Sequence, residues 1–269
     1  LLGRRVDDFV GTVNPTVYDN KSHNVTLNNL QTADDPFAYD SRDRILYSGS
    51  DSVRNGLFSF EFPVPLDINY SNESGRITVY ARDSRTGMTA GGYWEDFNVG
   101  GTGLAASDSI GPEIAMYLNT PDFIYGSKVN VNPLFVADIQ DMSGINSSGL
   151  GIGHDIILSI DNNPDLTWSL NGYFTQESGD YTKGRVVFSM PELPVGKHVL
   201  MFRVWDVMNN STVRYLEFNV VEGLKPAMSL QITGNPAREK TTFVVQHDRA
   251  GARPEITLQV FNTSGQMLW

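Results

Sequence analysis

The sequence contains no cysteine, and it has no apolar run of the roughly 18 residues that a membrane-spanning helix requires. Without cysteine there are no disulfides, thiolate nucleophiles or zinc–thiolate sites, although this absence does not decide the compartment. Positive charge is also scarce, since 20 Lys and Arg stand against 31 Asp and Glu, giving a net charge of -11. Such a chain repels phosphate backbones and anionic membrane surfaces. We therefore expect neither a nucleic-acid partner nor a direct membrane span.

What the chain does contain is typical of β-sheet domains. Its 269 residues exceed one sandwich of about 100 residues, so two or more cores in series are expected. The 25 Gly, 13 Pro and 11% aromatic residues suit short strands joined by tight turns. No stretch keeps an apolar period of 3.6 residues, so little helix is expected. The first residues lack both an initiator Met and a signal-peptide core, and we expect the chain to be a piece of a longer protein.

The segment from Gly196 to Ser211 carries the clearest structural pattern. Between His198 and Trp205 the apolar residues Leu200, Phe202 and Val204 alternate with Val199, Met201 and Arg203, which is the period of a strand. A turn follows at Asp206 and the cluster Asn209-Asn210-Ser211, and Val213 to Val221 resumes as a strand. The pattern predicts a hairpin at the end of a β-sandwich.

Turn-rich stretches divide the chain into three predicted domains. The Gly-rich stretch 100–103 and Gly111-Pro112 indicate the first boundary. The predicted fold is all-β: a β-sandwich over 1–103, an immunoglobulin-like β-sandwich over 104–224, and a truncated third β domain over 225–269. Its predicted strands are Ser22–Leu30, Arg44–Tyr47, Gly56–Phe62, Arg76–Arg82, Glu113–Leu118, Lys128–Ile139, Ile156–Ile160, Arg185–Met190, Met228–Ile232, Thr241–His247 and Glu255–Asn262.

One polar cluster is a candidate metal site. Calcium takes six to eight oxygen ligands, and Asp138, Asp141, Asn146 and Asp155 on two adjoining loops could supply several. Their spacing fits no EF-hand loop. The same residue types also cap turns in long loops between strands, and that interpretation is favoured over metal binding. Calcium is the one cofactor that the sequence suggests.

Aromatic residues and one histidine leave further alternatives open. Tyr93 and Trp94 could stack on a sugar ring, but packing in a core or a domain interface is favoured, and for Trp168 and Trp205 packing in a core is favoured. His154 beside Asp155 suggests a general base, yet no nucleophile or oxyanion site accompanies them. We assign no catalytic residue.

Several motifs, taken in order, resemble a known family. They are Phe60 to Tyr70 (FEFPVPLDINY), Gly111-Pro112-Glu113-Ile114, Asp138 to Asn146 (DIQDMSGIN), Gly151 to Asp155 and Val204-Trp205-Asp206. In this order they resemble the region after the peptidase domain in the PorU-type sortases of the type IX secretion system. The segments Gly234-Asn235-Pro236, Thr241-Thr242-Phe243 and Ile256 to Phe261 resemble the C-terminal sorting domain of that system. The third domain would then be of the sorting type.

The resemblance implies a location and a set of partners. In the family, a gingipain-like cysteine peptidase domain removes sorting domains from secreted cargo and joins the cargo to lipopolysaccharide. The sortase stays peripheral on the cell surface, at the outer membrane of a Gram-negative bacterium, on a barrel protein of the PorV type. The implied partners are that barrel, the rest of the attachment machinery and, through the peptidase domain, cargo sorting domains.

The same resemblance implies no catalysis by these residues. The catalytic cysteine of the family has no counterpart in this sequence, and none of the four histidines lies in a peptidase-like setting. The chain is therefore expected to be a non-catalytic scaffold and partner-docking region. The alternative is a carbohydrate-binding or adhesive module of another exported protein, in which Tyr93 and Trp94 act. A hydrolase that uses His154 and Asp155 is the weakest hypothesis.

Overall fold

The computed structural model describes residues 5–27, 29, 36–101, 108–224, 228–233, 239–247 and 255–269. Within these ranges the fold is all-β, as predicted, with two short 3-10 helices at Pro164–Leu166 and Asn171–Tyr173 and no α-helix. No helix among the described residues has the length and apolar character that a membrane crossing needs.

The first region contains one five-stranded sheet and two small ribbons. Its strands are β1 (Gly11–Tyr18), β2 (Ser22–Val25), β3 (Ala38–Ser41), β4 (Ile45–Ser48), β5 (Asp51–Val53), β6 (Glu73–Ser74), β7 (Arg76–Asp83), β8 (Thr89–Trp94) and β9 (Asn98–Val99). The sheet has the order β4-β1-β7-β8, with β5 also paired to β1, and the ribbons are β2-β3 and β6-β9. All strand pairs in this region are antiparallel.

The central strand β1 was not predicted, because Pro15 interrupts its pattern. β1 pairs with β5 through residues 11–13 and with β4 through residues 16–18. Pro15 falls between these two partners, where its missing N–H costs no ladder hydrogen bond. Val13 and Val17, on either side of it, are buried in the core. Long-range pairing therefore overrides the local signal of the proline.

The predicted strand Gly56–Phe62 is wrong. Residues 58–65 form no strand, and Pro63 and Pro65 cannot donate to a ladder. Phe60 and Phe62 instead stack against Tyr47, with ring centroids 6.1 and 5.2 Å away. Phe60 and Phe62 are half-buried, but an irregular segment carries them in place of a strand.

The second region contains two facing sheets. Its strands are β10 (Glu113–Leu118), β11 (Lys128–Val129), β12 (Leu134–Gln140), β13 (Ile157–Ile160), β14 (Thr167–Ser169), β15 (Phe174–Glu177), β16 (Asp180–Ser189), β17 (Gly196–Trp205) and β18 (Ser211–Val220). One sheet has the order β10-β12-β16-β15 and the other β11-β18-β17-β13-β14. The predicted segment Lys128–Ile139 is two strands, because Pro133 separates β11 from β12.

The core of this region lies between the two sheets. Phe135 of one sheet meets Phe202 of the other at a centroid distance of 4.9 Å. Leu200, Phe202 and Val204 are fully buried, as the alternation along β17 predicted. β17 and β18 pair from Gly196 and Val220 to Trp205 and Ser211 without a register shift. The predicted hairpin is confirmed.

The third region has one described ribbon. β19 (Met228–Thr233) and β20 (Thr242–His247) pair antiparallel, close to their predicted bounds. The predicted strand Glu255–Asn262 is wrong, since this segment has only an isolated bridge between Phe261 and Met267. The motif Gly234-Asn235-Pro236 lies outside the described residues. The division into domains 1–103, 104–224 and 225–269 stays a prediction.

Candidate functional site

The first two regions meet at a junction formed by three segments. These are Leu66–Tyr70 of the first region, and the loop Asp141–Asp155 and the turn Trp205–Asn210 of the second. The backbone N–H of Leu66 donates to the carbonyl of Val207 over 3.0 Å. The motifs at 60–70, 138–146, 151–155 and 204–206, which lie far apart in sequence, all reach this junction or its edge.

Asp67 is the polar centre of the junction. One carboxylate oxygen accepts a hydrogen bond of 3.1 Å from Nδ2 of Asn209, and the other lies 3.0 Å from Nδ1 of His154. Arg44 donates to the main-chain carbonyl of Asp67. The His154 ring stacks on Trp205, with centroids 4.1 Å apart and planes 29° apart. A side chain of the first region thus contacts two elements of the second.

Leu150 supplies an apolar contact across the same junction. It belongs to the loop of the second region, but it packs into the first core beside Val17, Leu46 and Tyr47 and is only 6% exposed. Asn146 holds the loop in this shape, because its amide donates to the carbonyl of Leu150 over 2.8 Å and accepts from the Leu150 N–H over 3.1 Å. The loop of the second region therefore contributes a side chain to the core of the first region.

A cluster of three carboxylates lies at the end of the second region. Oxygen atoms of Asp108, Asp141 and Asp206 all lie within 4.8 Å of one another. Asp206 follows β17, Asp141 follows β12, and both are buried, whereas Asp108 is half-buried. Among the described residues, this is the one cluster of three or more Asp, Glu or His side chains in metal-binding proximity.

Nearby hydrogen-bond donors satisfy some of the carboxylate oxygens. Asp206 accepts from the N–H groups of Met208 and Asn210 over 2.8 and 2.7 Å. Asp141 accepts from the Ser143 N–H over 2.7 Å, and the Ser143 hydroxyl donates to Asp108. No Lys or Arg among the described residues forms an ion pair with any of the three carboxylates.

The electrostatic consequence appears in the pKa values. Burial raises the pKa of Asp141 to about 6, and the neighbouring carboxylates of Asp206 and Asp108 push it the same way. Burial also raises the pKa of Asp206. The hydroxyl of Ser143 lowers the pKa of Asp108. A proton or a bound cation would relieve the repulsion, and oxygen ligands of this kind suit a hard cation.

The structure does not bring the four predicted calcium ligands together. Asp138 lies on β12 and pairs with Arg185 over 2.6 Å. Asn146 is occupied by Leu150, and Asp155 lies against Gly149. Of the predicted set, Asp141 alone belongs to the carboxylate cluster. The sequence did not predict the other two members, Asp108 and Asp206, as ligands, because they lie far from Asp141 in the chain. Calcium binding itself stays a prediction.

The predicted aromatic sites have different environments. Tyr93 and Trp94 are 71% and 54% exposed among the described residues, which contradicts packing in a core, whereas packing in a domain interface stays a prediction. Trp94 stacks on Phe97, at a centroid distance of 5.2 Å. Trp168 packs against Phe188 of the core, as predicted. Trp205 lies at the junction instead.

The side chains of His154 and Asp155, which are adjacent in sequence, contact different residues. His154 contacts Asp67 and Trp205, while Asp155 lies by Gly149. The residues that surround the imidazole could therefore not be identified from its neighbours in the sequence.

Comparison with known proteins gives one informative likeness. No protein-family model matches the chain, and no curated protein matches it. A solved structure, dimeric latent PorU from Porphyromonas gingivalis, is 34% identical over 97% of this chain, with a TM-score of 0.46. The chain spans 24% of that protein. In sequence, the chain is thus similar to part of PorU.

Proposed function

We propose that this chain is the non-catalytic C-terminal scaffold and partner-docking region of a PorU-type sortase. In the family that the motifs resemble, a separate cysteine peptidase domain cleaves cargo sorting domains and attaches the cargo to lipopolysaccharide. The role of the present residues is to space and orient that peptidase domain at the cell surface. They also dock on partners, with the PorV-type barrel of the outer membrane first among them.

One observation carries the proposal: four of the five motifs that resemble the family in order, all except Gly111-Pro112-Glu113-Ile114, also share one structural task. Asp67 from the motif at 60–70 contacts His154 from the motif at 151–155, and His154 stacks on Trp205 from the motif at 204–206. Ile145 of the loop motif bridges to Asp206. Chance similarity of short motifs gives no reason for them to meet. A shared junction gives such a reason, because a scaffold must hold its domains in a defined arrangement.

The absence of cysteine supports the non-catalytic part of the proposal. A thiolate nucleophile cannot come from this sequence. The all-β architecture, with sheet edges and faces, suits recognition of other chains by strand pairing or apolar patches.

A deletion in the full-length protein tests the docking role. We expect that removal of residues 225–269 abolishes co-purification with the PorV-type barrel and releases the sortase from the cell surface. The peptidase should still cleave a sorting-domain peptide in solution. A matched control alters the exposed residue Ile152 to Ala in the same protein. Unchanged co-purification after the deletion would contradict this assignment of the third domain.

A carbohydrate-binding module is the second candidate, and the exposure of Tyr93 and Trp94 favours it. Such rings offer apolar faces together with a polar edge. A glycan array probed with the chain and with Trp94→Ala separates the two functions. Glycan binding that is lost in the variant would favour the carbohydrate role, and no binding would favour the scaffold.

A further inference from the structure

Strand β8 forms an unprotected edge of the first sheet. It pairs with β7 on one side, from Ile77 and Trp94 to Arg82 and Thr89, and no described strand pairs with its other side. All six of its residues are exposed. Proteins usually protect such edges with Lys, Pro, inward charges or bulges. The sequence of β8, TAGGYW, has none of these residues, and its register has no shift.

Gly91 and Gly92, at the centre of β8, are not explained by the fold. Neither has a positive φ angle, so the backbone does not need glycine. A Cβ at Gly91 would have the Val79 carbonyl oxygen as its nearest neighbour, at 3.6 Å, and one at Gly92 would lie 3.9 Å from a Val79 methyl. These are ordinary contacts. Glycine weakens a strand, and in a strand interior it often marks a place where another chain approaches closely.

No side chain among the described residues covers Gly91 and Gly92 closely. Tyr80 lies opposite Gly91 on β7, but no Tyr80 atom is among the nearest within 4 Å of the Cβ position of Gly91. Aromatic side chains on a neighbouring strand can stabilise edge glycines by packing over them. In this sheet, an aromatic side chain could reach the two glycines from a strand added to the unpaired edge of β8.

We infer that β8 is a docking edge that adds one strand from a partner protein. The partner segment is extended and carries bulky apolar or aromatic side chains beside Gly91 and Gly92. Alternate residues of an edge strand present unpaired N–H and C=O groups, which an extended backbone matches. Side chains of the added strand would fill the space over the glycines, because directly opposed residues on paired strands are neighbours.

The surroundings of β8 support an uncharged partner segment. Tyr93 and Trp94 extend the apolar surface at one end of the strand. The next residue, Glu95, is neutralised by Arg42 and Arg76, both of which form ion pairs with it. The guanidinium of Arg76 also lies over the Tyr93 ring, 5.4 Å from its centroid. β8 itself has no charged side chain, so charges at the centre of an added strand would have no partner of opposite sign on β8.

This inference rests on the proposed docking function and names the chemistry of one partner contact. Its test is separate from the deletion described above. Residues 225–269 are not part of β8, so either result can fail alone. Loss of peptide binding with intact barrel docking would remove only the strand-addition inference.

The test uses the whole chain and a synthetic peptide. The probe is a short capped peptide of alternating threonine and valine with phenylalanine at its two central positions. We expect it to bind and to slow hydrogen exchange in β8. A copy with alternate backbone amides N-methylated should bind at least about tenfold more weakly, because it cannot complete the ladder. A copy with glycine at the centre should also bind more weakly.

Variants of the chain complete the test. The double variant Gly91→Val and Gly92→Val should unfold at the same or a higher temperature, yet bind the peptide at least about tenfold more weakly. Gly172→Ala, at a surface position with no neighbour within 4 Å, is the matched control and should bind like the unaltered chain. Equal binding by the N-methylated peptide, or exchange protection elsewhere than β8, would overturn the inference. Self-association through β8 without peptide binding would overturn the assigned partner.

Discussion

The carboxylate of Asp67 and the imidazole of His154 lie 3.0 Å apart, although 87 positions separate them in the chain (154 − 67). This contact joins the first and second regions at their polar centre. The same carboxylate accepts a hydrogen bond from Nδ2 of Asn209, so its loss would leave that donor without its partner. The junction is thus a property of neither region alone.

The first prediction concerns this contact. Asp67→Ala should lower the free energy of unfolding by about 1–3 kcal/mol, since the half-buried amide of Asn209 loses its acceptor. It should also separate the unfolding of the two regions into distinct transitions, seen by calorimetry. Asp122→Ala, an exposed aspartate after β10, is the control and should change little. A single unshifted transition in Asp67→Ala would show that the contact does not couple the regions.

The second prediction concerns the apolar contact of Leu150. Leu150→Ala should cost about 2–4 kcal/mol in chemical denaturation, because it leaves a cavity in a buried site. Hydrogen exchange should accelerate in β1 and β4 of the other region, where Leu150 packs. Ile152→Ala, two residues along the same loop and fully exposed, should be neutral. Faster exchange confined to the second region would contradict the packing of Leu150 in the first core.

The third prediction follows from the pKa of Asp141. Its value in the folded protein is raised to about 6 from 3.8, so the folded state binds the proton more tightly. Stability from this group is therefore fully present below pH 4 and is lost as the pH rises through 6, by at most about 3 kcal/mol.

Asp141→Asn should remove that loss. Its stability relative to the unaltered chain should increase between pH 4 and 7, as measured by urea denaturation at several pH values. Asp138→Asn, which alters the exposed partner of Arg185, should show no such increase. A difference between Asp141→Asn and the unaltered chain that does not depend on pH would contradict the raised pKa.

The fourth prediction concerns calcium. If the ion binds, the carboxylate cluster is the better ligand set than the four residues that the sequence suggested, because three of its oxygens already converge. Calcium should then raise the unfolding temperature of the chain and of Asp138→Asn, but not of Asp141→Asn. A calcium effect that survives Asp141→Asn would place the ion elsewhere, and no effect in the unaltered chain would end the calcium hypothesis.

Local patterns were reliable for several strands that bury one face. The hairpin of β17 and β18 was predicted almost residue by residue, because buried apolar residues alternate with more exposed ones along the strand. β10 was predicted at its observed bounds for the same reason. The failures have local causes too. The Pro15 signal concealed β1, and the apolar run at Gly56–Phe62 was taken for a strand although its burial comes from stacking on Tyr47.

The candidate site was only partly predictable. The sequence singled out Asp141 and Asn146 as a polar loop, but not the partners Asp108 and Asp206 that the fold adds to Asp141. His154 was paired with its neighbour Asp155, whereas the structure pairs it with Asp67. Neighbours in sequence are visible in a motif, but neighbours across a junction are not.

The sequence by itself determined the all-β class, the absence of thiol chemistry and most strands of the second region, because composition and period act locally. The tertiary structure alone decided that Leu150 fills the core of the first region, that three aspartates share one site, and that Gly91 and Gly92 lie on an open edge. These outcomes depend on which distant segments pack together. That choice is made by the burial and hydrogen bonding of the whole chain.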